Sequence, residues 1–89
     1  EQSETHFLKQ LNEGTIDVIT FTSSSTVTNF LDLLKKEHHE KLNKITIACI
    51  GPITQKTAED RGLKVTIVPN HHTVDGLISA IETYFKKTL

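Results

Sequence analysis

The chain's 89 residues allow one domain, and 36% hydrophobic with 24% charged residues is the balance of a folded chain rather than a disordered one. Ten lysines and arginines against 11 acidic residues leave a formal charge of −1, which gives no support to binding of nucleic acid or of an anionic membrane surface. A single cysteine, Cys49, excludes an internal disulfide, and no apolar run approaches the roughly 18 residues that span a bilayer, so a reducing cytoplasm is the expected compartment.

Ser3 or Thr5 caps a first predicted helix with Phe7, Leu8 and Leu11 on one face, ending at Gly14. The chain does not begin with methionine and opens on a helix, which leads us to expect a preceding segment; Glu1–Glu4 is no signal peptide. A β-branched run predicts a strand over Ile16–Phe21. The spacing of Val27, Phe30, Leu31 and Leu34 then predicts a helix from about Ser25 to Glu37, with a polar tail over Lys35–Asn43. Ile45–Ile50 is nearly continuous in apolar residues, as in a parallel strand covered on both faces. Gly51-Pro52 ends it and starts a helix that runs to about Arg61, stopped by Gly62. Val65–Val68 is the third expected strand, ended by Pro69-Asn70. Thr73 caps a last helix with Val74, Leu77, Ile78, Ile81 and Phe85 on its apolar face.

The order is α-β-α-β-α-β-α. It specifies one α/β unit over residues 1–89: a three-layer fold with three parallel strands and alternating helices, half of a flavodoxin-like or Rossmann-like sheet. Parallel strands put every strand-to-helix loop on one edge, where open α/β sheets bind their ligands. The loops are Thr22–Thr26, Gly51–Thr54 and Pro69–Thr73. Thr22, Ser23, Ser24, Ser25, Thr26, Thr54 and Thr73 offer hydroxyls there, beside three helix N-termini that favour anions. The loops hold no Asp or Glu, and His71 and His72 are their ionisable groups. The edge is suited to holding carboxylates or phosphates with neutral donors, not to acid–base chemistry.

Blander readings apply to the same residues. Ser and Thr are ordinary N-caps, though five hydroxyl residues in succession exceed what one cap needs. Gly51 and Pro52 are what a strand-to-helix turn requires; Gly51 also lets a ligand approach the backbone, and Thr54 is expected to face the same cleft. The P-loop pattern is missing. His38-His39 and His71-His72 lack supporting metal-ligand spacing and read as surface histidines, with an auxiliary role open to His72. Cys49 reads as a small buried apolar residue, Tyr84 and Phe85 as core, and no Ser-His-Asp set can be assembled.

Four stretches in this order and spacing carry a resemblance: Phe21-Thr22-Ser23-Ser24-Ser25-Thr26-Val27, Ala48-Cys49-Ile50-Gly51-Pro52-Ile53-Thr54, Gly62-Leu63-Lys64-Val65 and Thr73-Val74-Asp75-Gly76-Leu77. From about residue 5 to 87 the chain resembles the C-terminal part of the uroporphyrinogen-III synthase family. The resemblance implies an enzyme that cyclises hydroxymethylbilane to uroporphyrinogen III, with loss of water and inversion of ring D and without metal or organic cofactor. It implies a monomer of two α/β domains with the substrate between them. This chain would be the returning portion of a discontinuous first domain, completed by an N-terminal segment and a second domain. Substrate binding is expected at Thr22, Ser23, Ser24, Ser25, Thr26, Gly51, Pro52, Thr54, His72 and Thr73, with no catalytic residue assigned. Tyr84 does not match the tyrosine that the family places in its other domain.

Two other readings compete. One is a non-catalytic flavodoxin-like module for anion binding or signalling; a receiver would need an Asp at a central strand end and an acidic pair for Mg²⁺, where this sequence has Thr22, Gly51 and Pro69. The other is a three-stranded piece that associates through an open sheet edge.

Overall fold

The computed structural model of the chain describes residues 9, 10 and 12–88. Most of the first predicted helix, including Phe7, Leu8 and Leu11, lies outside the described residues. Residues 9, 10, 12 and 13 are helical, and Thr15 closes that end by donating both its N–H and its hydroxyl to the Gln10 carbonyl at 3.1 Å.

β1 (Val18–Phe21) and β2 (Thr46–Cys49) pair in parallel, in register from Val18 opposite Thr46 to Phe21 opposite Cys49. Between them run α1 (Ser24–Leu33) and a 3₁₀ segment over Lys36–Lys44; after β2 come α2 (Pro52–Asp60) and α3 (Val74–Thr88). The fold is α/β with a small parallel sheet, as the element order requires.

The third expected strand is reduced to one parallel bridge, Ile67 to Ala48. Thr66 and Ile67 both donate to the Ile47 carbonyl, at 2.9 and 3.1 Å, and Ile67 accepts from the Cys49 N–H at 2.9 Å. Two donors converging on one carbonyl break the even spacing of a parallel ladder, and Pro69 brings no N–H to extend it. The segment lies beside β2 without becoming a strand.

Consecutive residues of β2 point into different packing groups, the period-two consequence of a pleated strand. Ile47 and Cys49 join Phe21, Val27, Leu31, Leu42 and Ala58 in the larger core. Ala48 joins Ile67 and Leu77 in a second, with Val18, Ala80 and Ile81 packed against it. α1 and α2 therefore serve one cluster and α3 the other. Both faces of β2 are covered, which is why its sequence carries no polar alternation.

α1 stops at Leu33, four residues before the expected end. The Leu34 N–H still closes on Phe30 at 3.1 Å, but Leu34 itself is extended (φ −85°, ψ 131°). Nε2 of His39 lies 3.0 Å from both the Leu31 and the Leu34 carbonyl oxygens. A nitrogen facing two acceptors carries the proton, so His39 donates to carbonyls that the helix end leaves open. The polar tail expected over Lys35–Asn43 is a nine-residue 3₁₀ segment, held by Leu42, whose side chain is fully buried. At α2's end, Gly62 takes φ 92°, a left-handed conformation that glycine adopts without penalty.

Candidate functional site

The three strand-to-helix loops meet. Ser23 is the N-cap of α1: its hydroxyl oxygen accepts the Thr26 N–H at 3.2 Å and lies 2.6 Å from the Thr26 hydroxyl and 3.2 Å from that of Ser25. These three hydroxyls form one linked group, of which a single member is needed for the cap. Thr22, just before them, is exposed and makes no side-chain hydrogen bond among the described residues.

Ser24 turns the other way. Its hydroxyl reaches toward the Ile53 carbonyl at 3.4 Å and accepts from the Thr57 hydroxyl at 2.9 Å; Thr57 also lies 3.2 Å from Ile53 O. This ties the first turn of α1 to that of α2. Ser24 is thus an interhelical joint, and Thr57, which sequence reasoning did not single out, is its partner. Nothing in the pattern of Thr57 marked it, because the contact spans 33 residues.

Gly51 is the N-cap of α2 in extended conformation, with no side-chain cap bond, and Pro52 follows as the first helical residue. Because Pro52 has no N–H, the amides of Ile53 and Thr54 are the donors at this uncapped end. The imidazole of His72 lies against Gly51: a Cβ there would sit 3.2 Å from His72 Cγ and 3.4 Å from Nδ1. The second and third loops are therefore in contact through a ring packed on a bare Cα. Thr54, expected to front the cleft, is only 5% exposed and belongs mainly to the packing beneath α2.

Thr73 caps α3, accepting the Gly76 N–H at 3.0 Å on its hydroxyl and the Leu77 N–H at 2.9 Å on its carbonyl. Gly76 is required by a close approach: a Cβ there would stand 2.2 Å from the His71 carbonyl oxygen. Ile53, 78% exposed, and Val74, 56% exposed, stand in the first turns of α2 and α3. They add apolar surface to an edge that the sequence presented as polar. A cavity of about 700 Å³ runs between residues 66–71 and α3, touching the edge along Pro69, Asn70, His71 and Thr73 but not at the serine group.

Cys49 is fully buried beneath the edge, and burial, reinforced by the charge of Glu59, pushes its thiol up from 9.0 to about 11. A thiol so protected is no nucleophile near neutrality. Among the described residues no three His, Cys, Asp or Glu side chains group as metal ligands. His71 and His72 supply the ionisable groups of the loops, and Asp75 follows in the first turn of α3.

The uroporphyrinogen-III synthase HemD family model matches residues 1–79. The chain belongs to this family. A uroporphyrinogen-III synthase of Synechococcus elongatus is 33% identical over 82 residues, covering 88% of this chain and 31% of the relative. That of Chlorobaculum parvum is 34% identical over 76 residues, covering 85% and 30%. A Methanothermobacter thermautotrophicus protein provisionally given the same name is 36% identical over 74 residues, covering 80% and 29%. The chain thus spans about a third of the length of the curated relatives it matches. No solved structure matches it. Among the described residues no helix is long and apolar enough to cross a membrane.

Proposed function

We propose that this chain supplies one wall of the substrate cleft of a uroporphyrinogen-III synthase, a hydro-lyase of haem biosynthesis acting in the cytoplasm. The enzyme would cyclise hydroxymethylbilane to uroporphyrinogen III, with loss of water and inversion of ring D. The single observation that carries the reading is the contiguity of the three loops. Ser24 meets Ile53 at 3.4 Å and His72 packs on Gly51, so the N-termini of α1, α2 and α3 line one edge.

Each part of that edge has a task. Hydroxymethylbilane is a chain of pyrroles bearing acetate and propionate arms. Ser23, Ser25 and Thr26, with Thr22 beside them, offer hydroxyl donors to one arm; the open amides after Pro52 offer backbone donors to another, with close approach at Gly51. Carboxylates at helix N-termini are favoured by the dipole and by the free N–H groups. Ile53 and Val74 give pyrrole faces an apolar support, and His72 and Thr73 bound the site on the third side. Ring closure passes through a reactive azafulvene and a strained spiro species, and holding the ends of the chain together supplies much of the acceleration. No residue of this chain is assigned as acid or base. The remainder of the polypeptide completes both the sheet and the cleft, and the complete enzyme acts as a monomer without cofactor.

The test feeds freshly made hydroxymethylbilane to the full polypeptide and separates the uroporphyrin isomers after oxidation. Isomer III well above the spontaneous level is expected; isomer I alone refutes the assignment. Gly51→Val, which would drive the His72 ring away and cover the open amides, should lower turnover at least tenfold. Unchanged kinetics in that variant would remove the α2 terminus from the site.

A further inference from the structure

We propose a second ligand site at the opposite end of the sheet, a cavity that takes a small hydroxylated anion with its phosphate or carboxylate between Lys41 and Lys44. The cavity measures about 500 Å³, within the size range of small-molecule sites. Asn12, Asp17, Lys41, Lys44, Thr46 and Phe85 are among its lining residues. Asp17 immediately precedes β1 and Thr46 opens β2, so this is the amino end of the strands. The carboxyl edge described above plays no part in it, and the proposal stands or falls independently of that reading.

The 3₁₀ geometry of Lys36–Lys44 is what brings the two lysines together. With three residues per turn, side chains at i and i+3 eclipse, so Lys41 and Lys44 share one face. Like charges stacked this way repel, and an anion between them relieves that repulsion. The ion pairs among the described residues are Lys56–Asp60 and Asp32–Arg61, and neither cavity lysine enters one. A blander role exists: lysines in the last turn complement the carbonyl end of the helix they belong to. One lysine serves that purpose, whereas here both line a single cavity with further polar groups.

Those groups define the ligand. Asp17 is held by its backbone, whose carbonyl accepts the Thr46 N–H at 3.3 Å, and its carboxylate has no ion pair among the described residues. A bare anion would meet repulsion from Asp17. An anion that carries its own hydroxyl can donate to that carboxylate while the lysines hold the charge. Thr46 and Asn12 then offer neutral donors on the flanks.

The test titrates the full polypeptide with glycerol 2-phosphate and, separately, with malate, following backbone amide resonances against sodium chloride at matched ionic strength. Saturable shifts at Asn12, Lys44 and Thr46 are expected with at least one of the two probes, and the tighter probe identifies the anion. K41Q/K44Q should weaken that binding at least tenfold while leaving hydroxymethylbilane turnover unchanged. The Asp17→Asn variant should reduce the preference for glycerol 2-phosphate over inorganic phosphate. The proposal is overturned if neither probe saturates, if sodium chloride reproduces the shifts, or if binding survives the double substitution.

Discussion

Replacing Gly76 by alanine puts the close approach of α3 to the preceding turn under direct test. On an open helix surface the change would gain about 1 kcal/mol from helix propensity. Here the new Cβ would stand 2.2 Å from the His71 carbonyl oxygen and 3.1 Å from its carbon. An ordinary carbon–oxygen contact needs about 3.3 Å, so one of the two must retreat by about 1 Å. The obstacle is backbone, not the far end of a flexible side chain, and the His71 carbonyl already accepts the Thr73 N–H at 2.8 Å. Moving it disturbs Thr73, whose hydroxyl caps the helix through the Gly76 N–H. Overpacking costs about 1–3 kcal/mol and a weakened cap about 1 kcal/mol, against the propensity gain of about 1 kcal/mol. The balance is a loss of about 1–3 kcal/mol. Urea denaturation of the full polypeptide reads it as a lower midpoint at unchanged slope. A midpoint equal to or above that of the parent would refute the close approach.

Other residues give sharper, smaller signals. Ser23→Ala removes the α1 cap and should cost about 1 kcal/mol by denaturation, while Ser25→Ala, outside the cap, should leave stability unchanged and raise the KM for hydroxymethylbilane. His39→Ala strips two carbonyls of their donor and should destabilise by about 1 kcal/mol, part of which His39→Gln restores. Cys49 should resist alkylation at pH 8 until denaturant is added. Its thiol is raised to about 11 in the fold from 9.0, so the stability linked to its proton is fully present below pH 9 and is lost as pH rises through about 11. The denaturation midpoint should fall across that window and fall less in Cys49→Ala.

The alternation of elements was legible because it rests on periodicity: the apolar spacing of α1, the continuous run of β2 and the Gly-Pro start of α2 are all local signals. Thr73 as a cap and Gly62 as a stop were legible for the same reason. The third strand was not, because a single-residue convergence of two N–H groups on Ile47 is decided by docking, not by β-propensity. The early end of α1 depends on His39 reaching back over five and eight residues, and the sequence showed only a charged tail with adjacent histidines. That the three strand-to-helix loops share one edge was readable from strand polarity. The division of labour among the serines was not, since it depends on Thr57 in another helix, and the burial of Thr54 follows from packing beneath α2.

If the three joined loops hold the tetrapyrrole, their amides must respond to it in solution. Amide resonances of the full polypeptide, followed as uroporphyrinogen III is added under anaerobic conditions, test it most directly. Saturable shifts are expected at Thr22–Thr26, at Gly51, Ile53 and Thr54, and at His72–Thr73, with residues at the amino ends of β1 and β2 unmoved. Shifts confined to the amino ends, or to residues outside this chain, would contradict it.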